Sequence, residues 1–222
     1  MISVPNLNAS LFCLTVIVVL TGNTVALSQD SPLARPLVIL IGPPLSGKTT
    51  FVTRIQQRYG VQGISVEDLI KDHASELRKM HRGRTTMAEM RYDPAMSRYV
   101  RARLNKMDLG RGAALDGFPA SQQQAEELAK MIQELHLNPI VLQLEISDDV
   151  VRKRAAAAGR QSDHPKIIEQ RIKDYHREFD MISVYYPNAK IVKIDGTQSE
   201  EKMWQAMQRA LDEAKLPVAE KK

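Results

Sequence analysis

The feature that most constrains this chain is a glycine-rich loop placed directly after an apolar run. Residues 37–41 are apolar without alternation, which is typical of a strand buried on both faces. Residues 42–49 then read G-P-P-L-S-G-K-T, and residues 50–59 are compatible with a helix. A strand, a G-x-x-x-x-G-K-T loop and a helix in this order predict a phosphate-binding loop.

The composition of the loop indicates which of its atoms bind phosphates. Gly42 and Gly47 allow the backbone to approach an anion closely, and the N–H groups of the loop and of the following helix then point towards it. In such loops the lysine reaches the β- and γ-phosphates and the next hydroxyl binds Mg²⁺, which assigns these roles to Lys48 and Thr49. The predicted phosphate-contacting residues are Gly42, Pro43, Pro44, Leu45, Ser46, Gly47, Lys48, Thr49 and Thr50.

The rest of the chain alternates short apolar runs with helix-compatible segments. Further strands are predicted at residues 63–65, 113–115, 140–144 and 191–194, and helices at 121–136, 147–158, 165–185 and 199–216. This alternation predicts a three-layer α/β/α fold with a parallel five-stranded sheet. Asp116 follows the third run, where a carboxylate in P-loop proteins holds the hydration shell of Mg²⁺. An ordinary Asp-Gly turn is the alternative.

Residues 1–28 differ from the rest of the chain. Residues 11–20 are strongly apolar, and Ala26-Leu27-Ser28 resembles the cleavage site of a signal peptide, although residues 1–10 contain no Lys or Arg. Cleavage predicts an exported protein, periplasmic or secreted. A retained anchor, a misassigned start or a disordered tail are the alternatives, the last two with a cytoplasmic location. Residues 29–36 are predicted to be a linker because Pro32 and Pro36 interrupt them.

Composition argues against several classes of site and partner. The single cysteine, Cys13, rules out an intrachain disulfide framework, and no Cys/His spacing is typical of a zinc site. The net charge is +5, but the basic residues are spread along the chain and only 5% of residues are aromatic, which argues against a nucleic-acid partner. A small, phosphate-rich ligand accounts for the positive charge equally well. No stable membrane association is expected unless the leader is retained.

Asp116-Gly117-Phe118-Pro119, followed by Gln124, resembles the signature of the adenylate kinase family of nucleoside monophosphate kinases. Residues 42–50, 64–71, 159–163 with Arg171, and 195–197 are similar to further motifs of that family in the same order. The resemblance covers residues 37–214. It implies a kinase domain at residues 37–216, with a helical monophosphate-binding insertion at 65–105, a short lid without zinc at 154–171, and a tail at 217–222.

The resemblance implies transfer of the γ-phosphoryl group of ATP, with Mg²⁺, to a nucleoside monophosphate, with AMP favoured. A UMP/CMP kinase, or a nucleotide-binding protein with weak or lost kinase activity, are the alternatives. The implied catalytic residues are Lys48, Asp116, Arg154, Arg160 and Arg171. Gly196 would contact the ATP base, and the acceptor would bind Ser65, Asp68, Lys71, Gly117, Phe118, Pro119 and Gln124. Nucleotides are the implied partners, and the protein is expected to be a monomer.

Several residues depart from the family pattern. Ala120 and Ala158 stand where the family has arginines, and Lys71 stands where an arginine is usual. Leu45 and Thr49 replace common glycines. Because guanidinium groups stabilise the charge of a transferring phosphoryl group, the two missing arginines predict a slower or lost reaction. The nearby arginines that could compensate are Arg84, Arg91 and Arg98.

Overall fold

Five parallel strands form the centre of the computed structural model, which describes residues 35–82, 87–159 and 163–218. The strand order across the sheet is β2-β3-β1-β4-β5. β1 therefore lies in the middle, with β3 on one side and β4 on the other. The strands are β1 (Arg35–Ile41), β2 (Gln62–Ser65), β3 (Ala113–Asp116), β4 (Leu137–Glu145) and β5 (Lys190–Asp195).

Helices connect the strands and cover the sheet. Four of them, α2 to α5, lie between β2 and β3 and form the helical insertion. The helices are α1 (Lys48–Tyr59), α2 (Val66–Asp72), α3 (Ala74–Met80), α4 (Met87–Met90), α5 (Ala95–Lys106), α6 (Gln122–Glu134), α7 (Asp148–Ala158), α8 (Pro165–Tyr185) and α9 (Glu200–Glu213).

Local sequence explains where several of these helices begin and end. The Ser121 and Ser147 side chains accept hydrogen bonds from Gln124 N and Val150 N, so each serine caps a helix N-terminus. α7 ends at Gly159, whose φ of 60° lies in the left-handed region that glycine adopts without steric cost.

The central strand divides the core into two layers by its alternating side chains. Leu37, Ile39 and Ile41 pack with the helical insertion, α6 and α8. Val38 and Leu40 face the opposite layer and pack with α1 and α9. All five side chains are buried, so β1 is apolar on both faces, as expected for a central parallel strand.

The structure confirms the predicted fold class and places all five predicted strands within one sheet. One prediction about helix extent differs from it, because the last helix ends at Glu213 rather than at 216. The predicted leader and Arg160 lie outside the described residues. In the described parts of the chain, no helix combines the length and apolarity that crossing a bilayer requires.

Ile39→Ala should strongly destabilise the fold, because Ile39 is 0% exposed in the central strand. We expect a loss of about 2–5 kcal/mol in the free energy of unfolding, from lost burial and the cavity left behind. Urea unfolding followed by circular dichroism measures it. Val184→Ala is the matched control, since Val184 is 71% exposed, and it should change the value by less than about 0.5 kcal/mol. Equal effects of the two variants would contradict the assignment of the core.

Candidate active site

The glycine-rich loop turns where β1 meets β4, and this packing explains its first glycine. A Cβ added to Gly42 would lie 2.9 Å from Leu144 Cβ and 2.9 Å from Ser46 Oγ, closer than real Cβ contacts. Gly47 has a φ of 88°, which glycine adopts without strain. The two glycines therefore allow a close turn that other residues would block.

Leu45 adopts a positive φ of 62°, although it carries a side chain. This conformation costs a non-glycine residue about 1–2 kcal/mol. The Leu45 side chain packs against a cluster formed by α7 and α8, which includes Val151, Ile168 and Ile172. Burial in this cluster offsets the backbone strain and attaches the loop to the two helices that flank the predicted lid.

The Lys48 ammonium lies over the loop that precedes it. Its Nζ donates to Gly42 O at 2.6 Å and to Pro43 O at 3.0 Å. These contacts hold the positive charge at the centre of the loop, next to the N-terminus of α1. A lysine and a helix N-terminus together favour a bound anion.

Thr49 and Asp116 meet at the carboxyl ends of neighbouring strands. Leu40 in β1 pairs with Asp116 in β3, so the loop after β1 runs beside this carboxylate. Thr49 Oγ1 donates to Asp116 Oδ2 at 3.1 Å. Burial raises the pKa of Asp116, while Lys48, the Thr49 hydrogen bond and Arg91 oppose that shift and nearby Glu67 adds to it. The structure thus brings together the three residues that the sequence assigned to phosphate and Mg²⁺.

The residues of the loop fit a triphosphate and its metal. Ser46 Oγ is buried and has no hydrogen-bond partner among the residues that the structure describes, which leaves a polar atom of the loop available. A hydroxyl and a carboxylate side by side, as in Thr49 and Asp116, are the oxygen ligands that Mg²⁺ prefers, directly or through water. A cavity of about 160 Å³ opens beside the loop and includes Thr50, Arg154 and Glu200 among its walls. A larger cavity, between α3, α5 and α6, is lined by Arg98 but by none of the predicted catalytic, phosphate-contacting or acceptor residues.

Arg154 joins two backbone segments around that smaller cavity. Its Nη1 donates to Leu45 O at 3.1 Å and its Nη2 donates to Gly196 O at 2.8 Å. Gly196 is itself tightly packed, because a Cβ there would lie 2.7 Å from Ile146 Cγ2. The guanidinium group therefore holds the glycine-rich loop and the loop after β5 together.

The predicted lid arginines are placed only in part. Arg171 on α8 lies 3.8 Å from Asp163 Oδ1, and its side chain is 40% exposed. Asp163 is buried and orients this guanidinium group. It is the first residue that the structure describes after Gly159. Arg160 belongs to the residues that the structure does not describe.

The acceptor residues predicted from the sequence surround the end of β3. Ser65 pairs with Asp116 across β2 and β3, and its hydroxyl caps α2 by accepting from Asp68 N. Lys71 Nζ lies 3.4 Å from carboxylate oxygens of both Glu67 and Asp68. Gly117 follows with a φ of 80°, and Phe118 and Pro119 are buried beyond it.

Gln124 was predicted to contact the acceptor, and the structure shows contacts of its side chain that the sequence did not indicate. Its side chain is 0% exposed. Oε1 accepts from Ala120 N at 2.7 Å, and Nε2 donates to Arg91 O at 2.8 Å and to Asp93 O at 3.0 Å. In this structure the amide therefore binds three backbone groups and joins the loop of residues 91–93 to Ala120, while its assignment to the acceptor stays a prediction.

Comparisons with known proteins agree with this geometry. The family model described as adenylate kinase matches residues 40–191. The chain belongs to the adenylate kinase family. An adenylate kinase of Corynebacterium urealyticum is 32% identical over 179 residues, covering 79% of this chain and 98% of the relative. An adenylate kinase of Corynebacterium aurimucosum is 34% identical over 176 residues, covering 76% and 97%.

Membership of the adenylate kinase family makes the chain a nucleoside monophosphate kinase, a nucleotide-binding P-loop phosphotransferase. Members of the family use ATP with Mg²⁺, and the loop, Lys48 and the Thr49–Asp116 pair are groups of a kind that fits both. Arg91 was predicted only as one of three arginines that could compensate for the missing ones, and its charge acts on Asp116. Its basic type and its place in the helical insertion are the signals in the sequence that indicated it.

Asp116→Asn should stabilise this adenylate kinase homologue while impairing its Mg²⁺-dependent activity. Burial raises the pKa of Asp116 in the folded state above its ordinary value of 3.8. The free energy of unfolding therefore falls as the pH rises from 3.8 to the folded-state pKa, and the full loss is present above that pKa. Urea midpoints at pH 7 and pH 4 should show the gain mainly at pH 7. Asp72→Asn, which changes an exposed carboxylate, should show no such gain. A less stable Asp116→Asn protein at pH 7 would count against a cost from this charge.

Proposed function

We propose that this protein transfers the γ-phosphoryl group from ATP to AMP and produces two molecules of ADP. The observation that carries the proposal is the meeting of Lys48, Thr49 and Asp116 at the carboxyl edge of the sheet, next to Ser65. The adenylate kinase relatives support AMP as the acceptor. Transfer breaks the bond from the γ-phosphorus to the bridging oxygen of ATP and forms a bond to a phosphate oxygen of AMP.

On the donor side, the chain supplies charge and position. Lys48 neutralises the β- and γ-phosphates, and the N–H groups of the loop bind their oxygens. Thr49 and Asp116 would hold Mg²⁺, which supplies charge neutralisation between the β- and γ-phosphates. Arg154 borders the cavity in which the adenine would lie and holds Gly196 through its backbone carbonyl. These groups already lie close together in the protein, and Lys48 would exchange its contacts with Gly42 O and Pro43 O for phosphate oxygens on ATP binding.

The lid region, residues 154–171, is proposed to complete the site. Arg160 and Arg171 would stabilise the transferring phosphoryl group, because their planar guanidinium groups bind phosphate oxygens in pairs. Closure would also exclude water, which competes with AMP as an acceptor. On the other side, the proposed acceptor contacts come from Ser65, Asp68, Lys71, Gly117, Phe118, Pro119 and Gln124.

A coupled assay of ADP formation tests the proposal, with ATP and AMP, CMP or UMP as the pair. We expect turnover with AMP in the range of about 1–100 s⁻¹ that is typical of kinases, and a loss of about 100-fold or more in Lys48→Ala. Lys202→Ala, an exposed change on α9, should keep full activity. Preference for CMP or UMP would replace the proposed acceptor.

A second candidate function is nucleotide binding with weak or lost kinase activity. The observation that favours it is the acceptor side, where Ala120 is 1% exposed and uncharged and Lys71 already contacts two carboxylates. ATP binding without turnover on any of the three monophosphates would support this candidate and reject the kinase proposal.

Arg171→Ala should lower kcat by about 100-fold or more, as expected when one group that stabilises transition-state charge is removed. The KM for ATP should change much less, since the group is proposed to act mainly in the transition state. Arg152→Ala is the matched control, because Arg152 lies on α7 and binds surface carboxylates of Asp149 and Glu169. Equal kcat values for the Arg171→Ala and Arg152→Ala proteins would remove Arg171 from the catalytic set.

A further inference from the structure

The loop that joins α4 to α5 brings an arginine to the acceptor side of the site. A Cβ placed on Gly117 would lie 3.9 Å from Arg91 Nη2, so this guanidinium reaches the loop that follows β3. The positive charge of Arg91 also acts on Asp116 and lowers its pKa, against the effect of burial. Arg91 therefore faces the same strand end as Lys48 and Thr49, but from the helical insertion.

The backbone that carries Arg91 is held in place by Gln124. The amide of Gln124 donates to Arg91 O at 2.8 Å and to Asp93 O at 3.0 Å, and it accepts from Ala120 N at 2.7 Å. Because the Gln124 side chain is fully buried, these hydrogen bonds are protected from competing water. They connect the loop of Arg91 directly to the segment after Pro119.

A second attachment comes from the neighbouring residue. Tyr92 OH donates to Asp174 Oδ2 on α8 at 2.5 Å, and Asp174 also accepts from Gln170 and Arg177. The Arg91 and Arg177 guanidinium groups lie 5.5 Å and 5.7 Å from the centre of the Tyr92 ring. A residue whose own backbone and next neighbour are both held loses less entropy when it binds a ligand, which suits a preorganised phosphate contact.

The other side chains at the end of β3 do not supply the positive charge that an acceptor phosphate requires. Ala120 has no charge, and Lys71, with a side chain 57% exposed, lies between Glu67 and Asp68. Asp116 and Glu67 add negative charge at the same place. A monophosphate arriving there would be repelled by these carboxylates unless a cation faced it.

We propose that Arg91 binds the phosphate of the nucleoside monophosphate acceptor and replaces the guanidinium group that Ala120 lacks. This assignment rests on the proposed kinase function. Arg91 provides two adjacent N–H donors for phosphate oxygens and holds the acceptor oxygen in line with the donor. Its charge also reduces repulsion between the two phosphate groups.

Calorimetric binding of AMP and adenosine to the full chain tests this role. Arg91→Ala should weaken AMP binding by about 10-fold or more, as expected for loss of hydrogen bonds to a charged group. Adenosine binding should stay unchanged, because adenosine has no phosphate. Arg91→Lys should fall between, since it keeps the charge but loses the paired geometry. The matched control is Arg103→Ala, on α5, where the arginine contacts the exposed Asp72.

The two nucleotides separate a phosphate contact from a structural effect. An equal loss for AMP and adenosine in Arg91→Ala, or no loss for AMP, would overturn the proposal. The same binding comparison of CMP with cytidine, and of UMP with uridine, tests the role of Arg91 for an acceptor with a different base. A wild-type protein that binds no monophosphate more tightly than its nucleoside would also overturn it. Binding that depends on Arg91 without turnover would sustain the inference and reject the kinase function.

Discussion

The site depends on how closely β1 packs beside β4 at the point where the chain leaves the sheet. Gly42 has no room for a side chain between Leu144 and Ser46, so the backbone turns at the edge of the sheet. That turn places Lys48 over its own loop and Thr49 beside Asp116. Parallel strands present their carboxyl ends on one edge, and ligands of open α/β sheets bind there. The turn at Gly42 therefore positions Lys48 and Thr49, and the pairing of β3 with β1 brings Asp116 beside them.

Two residues at the same edge of the sheet are held in energetically unfavourable states. Asp116 is kept in a partly dehydrated position that raises its pKa, and Leu45 is kept at a φ of 62°. Each is tolerated because the surroundings compensate. Lys48 and Thr49 favour the ionised carboxyl, and the α7–α8 cluster packs against the leucine. Strain concentrated at a site of this kind is common where binding groups must be held ready before the ligand arrives.

Sequence patterns predicted the sheet and the donor side because both follow from local rules. The unbroken apolar run of β1 indicates burial on both faces, and the glycine spacing indicates the loop, whatever the rest of the chain does. The contacts of Gln124 and Arg91 could not be predicted in this way. They join segments more than 30 residues apart through a buried amide and a loop between two helices. Periodicity carries no information on such side-chain directions, and the resemblance alone assigned Gln124 to the acceptor, whereas its amide binds the backbone here.

The two halves of the site therefore differ in what a ligand must displace. On the donor side, Lys48 donates to neutral carbonyls, Gly42 O and Pro43 O, which a charged phosphate outcompetes, and Ser46 Oγ has no hydrogen-bond partner among the described residues. On the acceptor side, Lys71 contacts two carboxylates and Gln124 is satisfied by backbone groups. A ligand that must displace such internal contacts binds only the fraction of molecules in which those contacts are broken. Its apparent affinity falls in proportion to that fraction. The acceptor half should then be the weaker one, and a single well-fixed cation there would have a large effect on binding.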